Sequence, residues 1–226
     1  MADTKNTNAA PVAGEQSKNE ALVLKYKNVI IIAVVALIVL VCAGFLYKSY
    51  SEKSFNTSST EMAKAQEYFS LAMTSDDVTL FEKALNGDSI NAGFLSFVGE
   101  GGSVGNLANL YAGLCYAHMG DAQQAVGYLE KFDGADDAMV SPAALGALAD
   151  EKATLEQLDE AAALFVKAAE KADNNTLSPK FLIKAGEIYE SQGKKEEALK
   201  LYEQIKSKYP NSSEYRNIDA YIEHVK

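Results

Sequence analysis

The sequence is poor in the residues that build cross-linked or metal-bound sites. Its 226 residues include no tryptophan, and the two cysteines, Cys42 and Cys115, are too few for a disulfide framework. The two histidines, His118 and His224, stand far apart, and no cysteine or acidic cluster accompanies them at metal-ligand spacing. These shortages argue against a zinc site, and the sequence predicts neither a metal nor a cofactor.

Positive charge is also scarce. Arginine occurs once, at Arg216, and 21 basic residues face 31 acidic ones, which gives a formal net charge of −10 and a pI of about 4.8. A protein that binds the phosphate backbone of nucleic acids needs the opposite balance. DNA and RNA are therefore excluded as partners on electrostatic grounds.

Catalytic motifs are missing as well. Acidic pairs such as Asp150–Glu151 are neighbours in sequence, so they point in different directions on a helix, which favours a solvated surface over acid–base catalysis. The glycine-rich stretch GEGGSVG at 99–105 lacks the Lys-Ser/Thr pair of a phosphate-binding loop, and we interpret it as a mobile loop. The sequence predicts no enzyme and no catalytic residue.

One long apolar run lies near the N-terminus. Residues 29–47, VIIIAVVALIVLVCAGFLY, carry no charge, and as a helix they would span ~28 Å, close to the ~30 Å hydrocarbon core of a bilayer. We predict a transmembrane helix there, between a disordered tail over 1–28 and a polar tether over 48–60. A cleaved secretory signal is the alternative, although its apolar region is usually shorter. A lipoprotein signal at Cys42 is disfavoured because the preceding residue, Val41, is not small.

Lysines flank this run in equal numbers on its two sides: Lys18, Lys25 and Lys27 precede it, and Lys48, Lys53 and Lys64 follow it. Lys25 and Lys27 lie nearest the membrane, and they tip the positive-inside balance towards a cytoplasmic N-terminus. Residues 48–226, with 17 basic and 28 acidic side chains, are then expected on the exported side.

Residues 61–226 show internal repetition. The clearest unit covers 179–210, where two helical stretches flank a turn at Gly193. Gly186 in the first stretch would let the two helices approach closely, and Tyr202 from the second would fill the space beside it. Proline at the end of this unit independently favours a helix boundary there.

Related units precede this one, at 106–137, at 142–173 and, in degenerate form, at 58–91. The middle unit departs from the pattern, since Lys152 stands where an aromatic residue is expected and Glu156 where the turn glycine is expected. Residues 212–226 alternate apolar and polar positions as a helix that caps a stack would, with one face buried and one solvated.

These units resemble tetratricopeptide repeats, whose period is about 34 residues. The resemblance implies an all-α fold, in which a single N-terminal transmembrane helix is followed by a tetratricopeptide-repeat helical solenoid and a C-terminal capping helix. Solenoids of this kind offer extended contact area instead of a deep polar pocket, so the expected work is protein binding.

The first helix of each repeat would line the inner surface of the solenoid. On that basis we predict a partner-binding face that includes Leu107, Leu110, Leu114, His118, Lys180, Ile183, Lys184 and Glu187. The alternative for the three leucines is that they simply pack against the preceding repeat.

The complete layout, from tail to membrane helix to repeats, resembles the YfgM-like ancillary subunits of the SecYEG translocon and the tetratricopeptide membrane proteins of bacteria. The resemblance implies a single-pass inner-membrane protein with a periplasmic domain. Its expected partners are translocon subunits, a periplasmic chaperone or exported chains, together with the lipid bilayer through residues 29–47. The alternative is a membrane-tethered, self-associating scaffold for envelope assembly or cell division.

Overall fold

The computed structural model describes the backbone of residues 13–75 and 77–226, and the side chains of 36–49, 57–75 and 77–226. The chain divides into two compact units, Met1–Ser54 and Phe55–Lys226. Regular secondary structure in the described residues is helical, apart from one antiparallel bridge between Gly87 and Ala92. The helices are α1 (Ala13–Ser75), α2 (Val78–Asn86), α3 (Gly102–His118), α4 (Ala122–Leu129), α5 (Val140–Thr154), α6 (Leu158–Ala172), α7 (Ser178–Ser191), α8 (Lys195–Lys208) and α9 (Ile218–Val225).

Helix α1 covers more of the chain than the sequence indicated. The structure differs from the expected disordered tail at 13–28, which are helical, while 1–12 lie outside the described residues. The expected tether over 48–60 is helical as well. No proline occurs between Pro11 and Pro142, and no glycine between Gly44 and Gly87, so no residue in this stretch breaks the helix.

The predicted transmembrane helix over 29–47 lies partly outside the described residues, because the side chains of 29–35 are not among them. Among the residues that are described, no helix combines the length and apolar character that a membrane crossing requires. The membrane span therefore stays a prediction.

The second unit is a series of antiparallel helix pairs. From α3 to α9, each helix packs on the next one along the chain, and α3 also contacts α5 in the following pair. Met62, Ala65 and Ala72 on the last part of α1 pack with Phe81 of α2 and residues of α3. The expected all-helical solenoid with a C-terminal helix is confirmed, since α9 closes the series by packing on α8.

Three apolar clusters follow one another along the stack. The first joins α1, α2 and α3, the second joins α3, α4 and α5, and the third runs from α5 to α9. Fully buried members include Phe94 in the first cluster and Phe165 and Tyr202 in the third. The core is thus distributed over neighbouring pairs, as expected for a stack in which each unit contacts only its neighbours.

Helices within a pair approach closely where one of them carries a small residue. A Cβ atom placed on Gly186 of α7 would overlap the ring of Tyr202 on α8, and one on Gly113 of α3 would overlap the side chain of Leu129 on α4. The close approach expected at Gly186 is confirmed. Ala149 occupies the corresponding position of α5 and is fully buried.

The glycine-rich stretch before α3 differs from the expected loop, because part of it is helical. Phe94 and Phe97 are buried, and α3 begins at Gly102, inside the motif. Gly105 packs directly against the backbone carbonyl of Glu100, so a side chain there would collide with the main chain. Glycine at this position lets the chain pack closely against itself where α3 begins. The sequence pattern alone does not distinguish this packing role from that of a mobile loop.

Candidate protein-binding surface

The leucines predicted for the binding face contribute mainly to the core. Leu110 is only 6% exposed, so it belongs to the core and does not lie on the predicted binding face. It packs with Ala125, Val126 and Leu129 of α4 and with α5, because the next helix pair covers that side of α3. Leu114 is half-buried in the same cluster, and Leu107 is half-buried against the preceding pair. The packing alternative therefore holds for Leu107, but Leu110 and Leu114 face the second helix and the following repeat instead.

His118 is exposed but already in contact with aromatic rings. Its imidazole stacks on the ring of Phe81, with 4.6 Å between the centroids and 4° between the planes, and it meets the edge of Phe69. The Phe69 ring in turn contacts Phe94 and Tyr111. His118 therefore closes the outer side of an aromatic cluster at one end of the stack.

The predicted residues of α7 lie at the surface. Lys180, Lys184 and Glu187 are exposed, and Ile183 is half-buried. Lys184 reaches back to α5, where its Nζ atom lies 2.6 Å from Asp150 Oδ1 and 5.2 Å from the centre of the Phe165 ring. Its charge is thus engaged between repeats, whereas Glu187 lies on the side of α7 that faces the C-terminal helix α9.

A groove of about 440 Å³ lies between α7 and the C-terminal helix α9. Its walls are formed by Glu187, Glu190, Ala220, Tyr221 and His224. The two glutamates lie on the helix whose inner face the sequence predicts to bind a partner, whereas the pattern of residues 212–226 predicts only a cap with a solvated outer face. Ala220, Tyr221 and His224 are spaced as neighbours on one helical face, which is the signal that would have assigned them a second role.

Glu190 is held in place by the core beneath it. The hydroxyl of Tyr202, a fully buried residue, donates a hydrogen bond of 2.5 Å to Glu190 Oε1. The second carboxylate oxygen, Oε2, lies 3.4 Å from Nε2 of His224. Burial and then the Glu190 carboxylate raise the pKa of Tyr202 above its ordinary value, so the tyrosine remains a donor. One oxygen of Glu190 is fixed and the other faces the groove.

Tyr221 belongs to both the groove and the core. Its ring packs against Tyr202, with 5.2 Å between the centroids. Burial, followed by the nearby Glu187 carboxylate, raises the pKa of Tyr221 above its ordinary value. The groove thus combines a neutral aromatic wall with two carboxylates.

A second cavity, of about 290 Å³, lies between the end of α4 and helices α5 and α6. Leucine and phenylalanine side chains form its floor, and Lys167 and Lys171 stand at its edge. No group of three or more histidine, cysteine or acidic side chains in the described part of the chain is arranged to hold a metal ion. Cys115 is fully buried, and burial raises the pKa of its thiol to about 12, so it is unreactive at neutral pH.

Comparison with known proteins agrees with this architecture. The profile of the tetratricopeptide repeat family matches residues 107–133 and 181–212, which cover most of the pairs α3–α4 and α7–α8 and the residues just after each pair. Among the similar solved structures are two of nearly identical TPR-like repeats from a Podosopora anserina protein assigned as a kinesin light chain. One is 15% identical with a TM-score of 0.52, over 74% of this chain and 83% of that chain.

The other solved structure, a point variant of the same repeats, has the same identity and coverage with a TM-score of 0.50. At this identity the likeness concerns the fold alone. No curated protein matches the chain at a significant level. The chain carries tetratricopeptide repeats, which mediate protein–protein interaction and are typically non-catalytic, within a tetratricopeptide-like helical solenoid that ends in a C-terminal helix.

Proposed function

We propose that the chain is a membrane-anchored protein-binding subunit, whose exported repeat domain binds a partner protein or an exported chain at the Sec translocon. The observation that carries protein binding is the open groove between α7 and α9, set in a stack of helix pairs. Helical solenoids present such surfaces to segments of other proteins.

The proposed anchor rests on exposed apolar side chains in the first unit. Within 36–49, eight large aliphatic and aromatic side chains are more than half exposed, in two runs: Leu37, Ile38, Val39, Leu40 and Val41, then Phe45, Leu46 and Tyr47. A patch of this length is unfavourable in water and favourable in a bilayer. The preceding residues 29–35 continue the apolar run in sequence. Tyr47, 76% exposed, would lie at the interface where aromatic residues anchor membrane helices.

The proposed place of action rests on layout and charge. The order of membrane segment and repeats resembles the ancillary subunits of the SecYEG translocon, and Lys25 and Lys27 favour a cytoplasmic N-terminus. The repeat domain would then face the periplasm with a strongly acidic surface. A partner emerging from the translocon would meet a tethered binding surface at high effective concentration.

Extraction and labelling experiments test the anchor. We expect the full chain to remain in the membrane pellet after carbonate extraction, and a variant with Ile38→Arg and Val41→Arg to be released, since each charge costs about 3 kcal/mol near the bilayer centre. The matched control, Ile38→Leu with Val41→Leu, should stay in the pellet. A cysteine introduced at exposed Ser213 should react with an impermeant thiol reagent from the periplasmic side. Release of the unmodified chain would refute the anchor, and labelling only from the cytoplasmic side would refute the orientation.

Crosslinking in intact cells, followed by mass spectrometry, tests the partner. Recovery of translocon subunits, a periplasmic chaperone or exported chains is the expected result. Recovery of only the chain itself or of envelope-building enzymes would support the membrane-tethered scaffold instead. Recovery of no protein at all would contradict both functions.

A further inference from the structure

We propose that the groove between α7 and α9 binds a basic segment of the partner, with an arginine or lysine side chain seated between Glu187, Glu190 and Tyr221. This inference rests on the proposed protein-binding function and names the chemistry of the partner. It differs from the sequence expectation, which placed the binding face on α3 and α7 without a charge preference.

The shape of the groove suits a long basic side chain. Ala220 and Tyr221 give one wall an apolar surface, against which the methylene stem of arginine or lysine can pack. The tyrosine ring also offers a face on which a guanidinium group can stack, an interaction worth about 0.5–2 kcal/mol depending on desolvation. Glutamates stand on the opposite wall, so the stem and the charged head of one side chain meet different surfaces.

The charge at the groove is negative and positioned in advance. Tyr202 fixes Glu190 through Oε1 and leaves Oε2 towards the groove, while Glu187 is exposed beside Tyr221. A carboxylate that is already oriented loses little entropy when it pairs with a cation. The two lysines of α7 do not neutralise the site, since Lys184 is paired with Asp150 and Lys180 lies one turn further from the groove.

His224 occupies the position that a cation from the partner would take. Its Nε2 atom is 3.4 Å from Glu190 Oε2, yet its side chain is 79% exposed, so the contact is weak and displaceable. The rest of the domain adds a long-range bias, because residues 48–226 contain 28 acidic and 17 basic side chains. An acidic peptide or an anionic lipid surface would be repelled, whereas a basic segment would be attracted.

The test is a binding titration with the full-length chain in mild detergent. The probe is a short fluorescein-labelled peptide in which arginines are spaced by alanine and leucine, and binding is followed by fluorescence anisotropy. A peptide with citrulline in place of arginine keeps the shape and removes the charge. The variant pair Glu187→Gln and Glu190→Gln keeps an oxygen to accept from Tyr202. The pair Glu196→Gln with Glu197→Gln makes the same charge change at two exposed positions of α8.

We expect the groove pair of substitutions to raise the Kd of the arginine peptide about tenfold, and the α8 pair to change it less than about twofold. The citrulline peptide should bind about as weakly as the arginine peptide binds the groove variant. Ala220→Phe, which fills the groove without changing charge, should also weaken binding. Unchanged thermal unfolding of the variants, followed by circular dichroism, shows that the loss is not a loss of fold.

Two outcomes would overturn the inference and leave protein binding standing. Equal weakening by the α8 pair would mean that the peptide senses only the overall charge of the domain. Absence of peptide binding, with partner proteins still recovered by crosslinking in cells, would place the binding surface elsewhere. Absence of both would refute the proposed function as well.

Discussion

The middle repeat, α5–α6, and the last repeat, α7–α8, reach the same geometry with different side chains. In each, the backbone N–H that opens the second helix donates to a carbonyl five residues earlier: Gln157 to Lys152 at 2.9 Å, and Lys194 to Tyr189 at 2.8 Å. The residue before this donor has a left-handed backbone in both, with φ of 60° at Glu156 and 74° at Gly193. The fold of a repeat is therefore set by its backbone path and packed small residues, and it tolerates unusual residues where other contacts compensate.

Lys152 shows what such compensation looks like. It takes the place of the aromatic Tyr189, and only 11% of its side chain is exposed. Its Nζ atom lies 2.9 Å from Glu130 and 3.0 Å from Glu160, and hydrogen bonds to these carboxylates raise its pKa above the ordinary value. The methylene stem of Lys152 fills the volume that the tyrosine ring fills in the last repeat, and its ammonium group pairs with carboxylates near the surface. One side chain of α5 thereby contacts the end of α4 and the first turn of α6.

The two repeats also differ in the side chain that accepts hydrogen bonds at the start of the first helix, α5 or α7. Asp137 accepts hydrogen bonds from the Ser141 hydroxyl and from the N–H groups of Met139 and Val140 at the start of α5. At the start of α7 the equivalent acceptor is the side-chain oxygen of Asn174, which receives the N–H groups of Thr176 and Leu177 at 2.9 Å. The middle repeat therefore has an ionisable group where the last repeat has a neutral one.

The largest effect is expected from filling the close approach in the last repeat. Gly186→Val would place a branched side chain where the ring of Tyr202 lies. The ring cannot move aside easily, because Tyr202 is fully buried and its hydroxyl is hydrogen-bonded to Glu190. We expect a loss of about 3 kcal/mol in the free energy of unfolding, measured by urea denaturation. Gly127→Val on the exposed face of α4, where no atom lies within 4 Å of a new Cβ, is the control and should change stability little. Tolerance of Gly186→Val would contradict the importance of this contact.

The next effect concerns the buried lysine of the middle repeat. Lys152→Ala should cost about 2 kcal/mol, mainly because the stem leaves a cavity between α4, α5 and α6. Lys152→Met retains the stem and should cost less than about 1 kcal/mol, since Glu130 and Glu160 are each about half exposed or more and return to water. Urea denaturation of both variants separates packing from charge. Equal losses for alanine and methionine would show that the ion pairs dominate, because both variants remove them.

A smaller effect is expected from exchanging the turn residues. Glu156→Gly should raise the free energy of unfolding by about 1 kcal/mol, because a left-handed backbone disfavours any residue with a Cβ atom. Gly193→Glu, the reverse change in the last repeat, should lower it by about the same amount. Both shifts can be read from thermal unfolding at neutral pH. Opposite signs at the two sites confirm that the turns are equivalent, and equal signs would refute it.

The smallest effect is expected from lowering the pH, which should weaken the hydrogen bonds at the start of α5 and leave those at the start of α7 unchanged. The hydrogen bond from Ser141, followed by that from the Met139 amide, lowers the pKa of Asp137 to about 2. The stabilisation from this carboxylate is complete above its ordinary pKa of about 3.8 and is lost as the pH falls towards 2. In an NMR pH titration, the amide signals of Val140 and Ser141 should move with a midpoint near 2, while those of Thr176 and Leu177 should not follow it. Asp137→Asn should abolish the transition, and a midpoint near 4 would contradict the hydrogen bonding.

The sequence was sufficient to predict the helix pairs, because small residues, turn glycines and prolines recur at a regular spacing. The sequence could not predict that Leu110 is buried. The same apolar face of α3 packs both against α4 of its own pair and against α5 of the next pair. The groove was missed for a related reason. Only the placement of α9 beside α7 brings Tyr221 and His224 to Glu190, and the spacing between these segments carries no periodic signal.

A partner protein is proposed to occupy the face between α7 and α9. A photoreactive phenylalanine at position 220, in the groove, tests it most directly when compared with the same residue at position 200, exposed on α8. On irradiation of living cells, we expect an adduct with another protein from position 220 and none from position 200. The same adducts from both positions, or none from position 220, would contradict it.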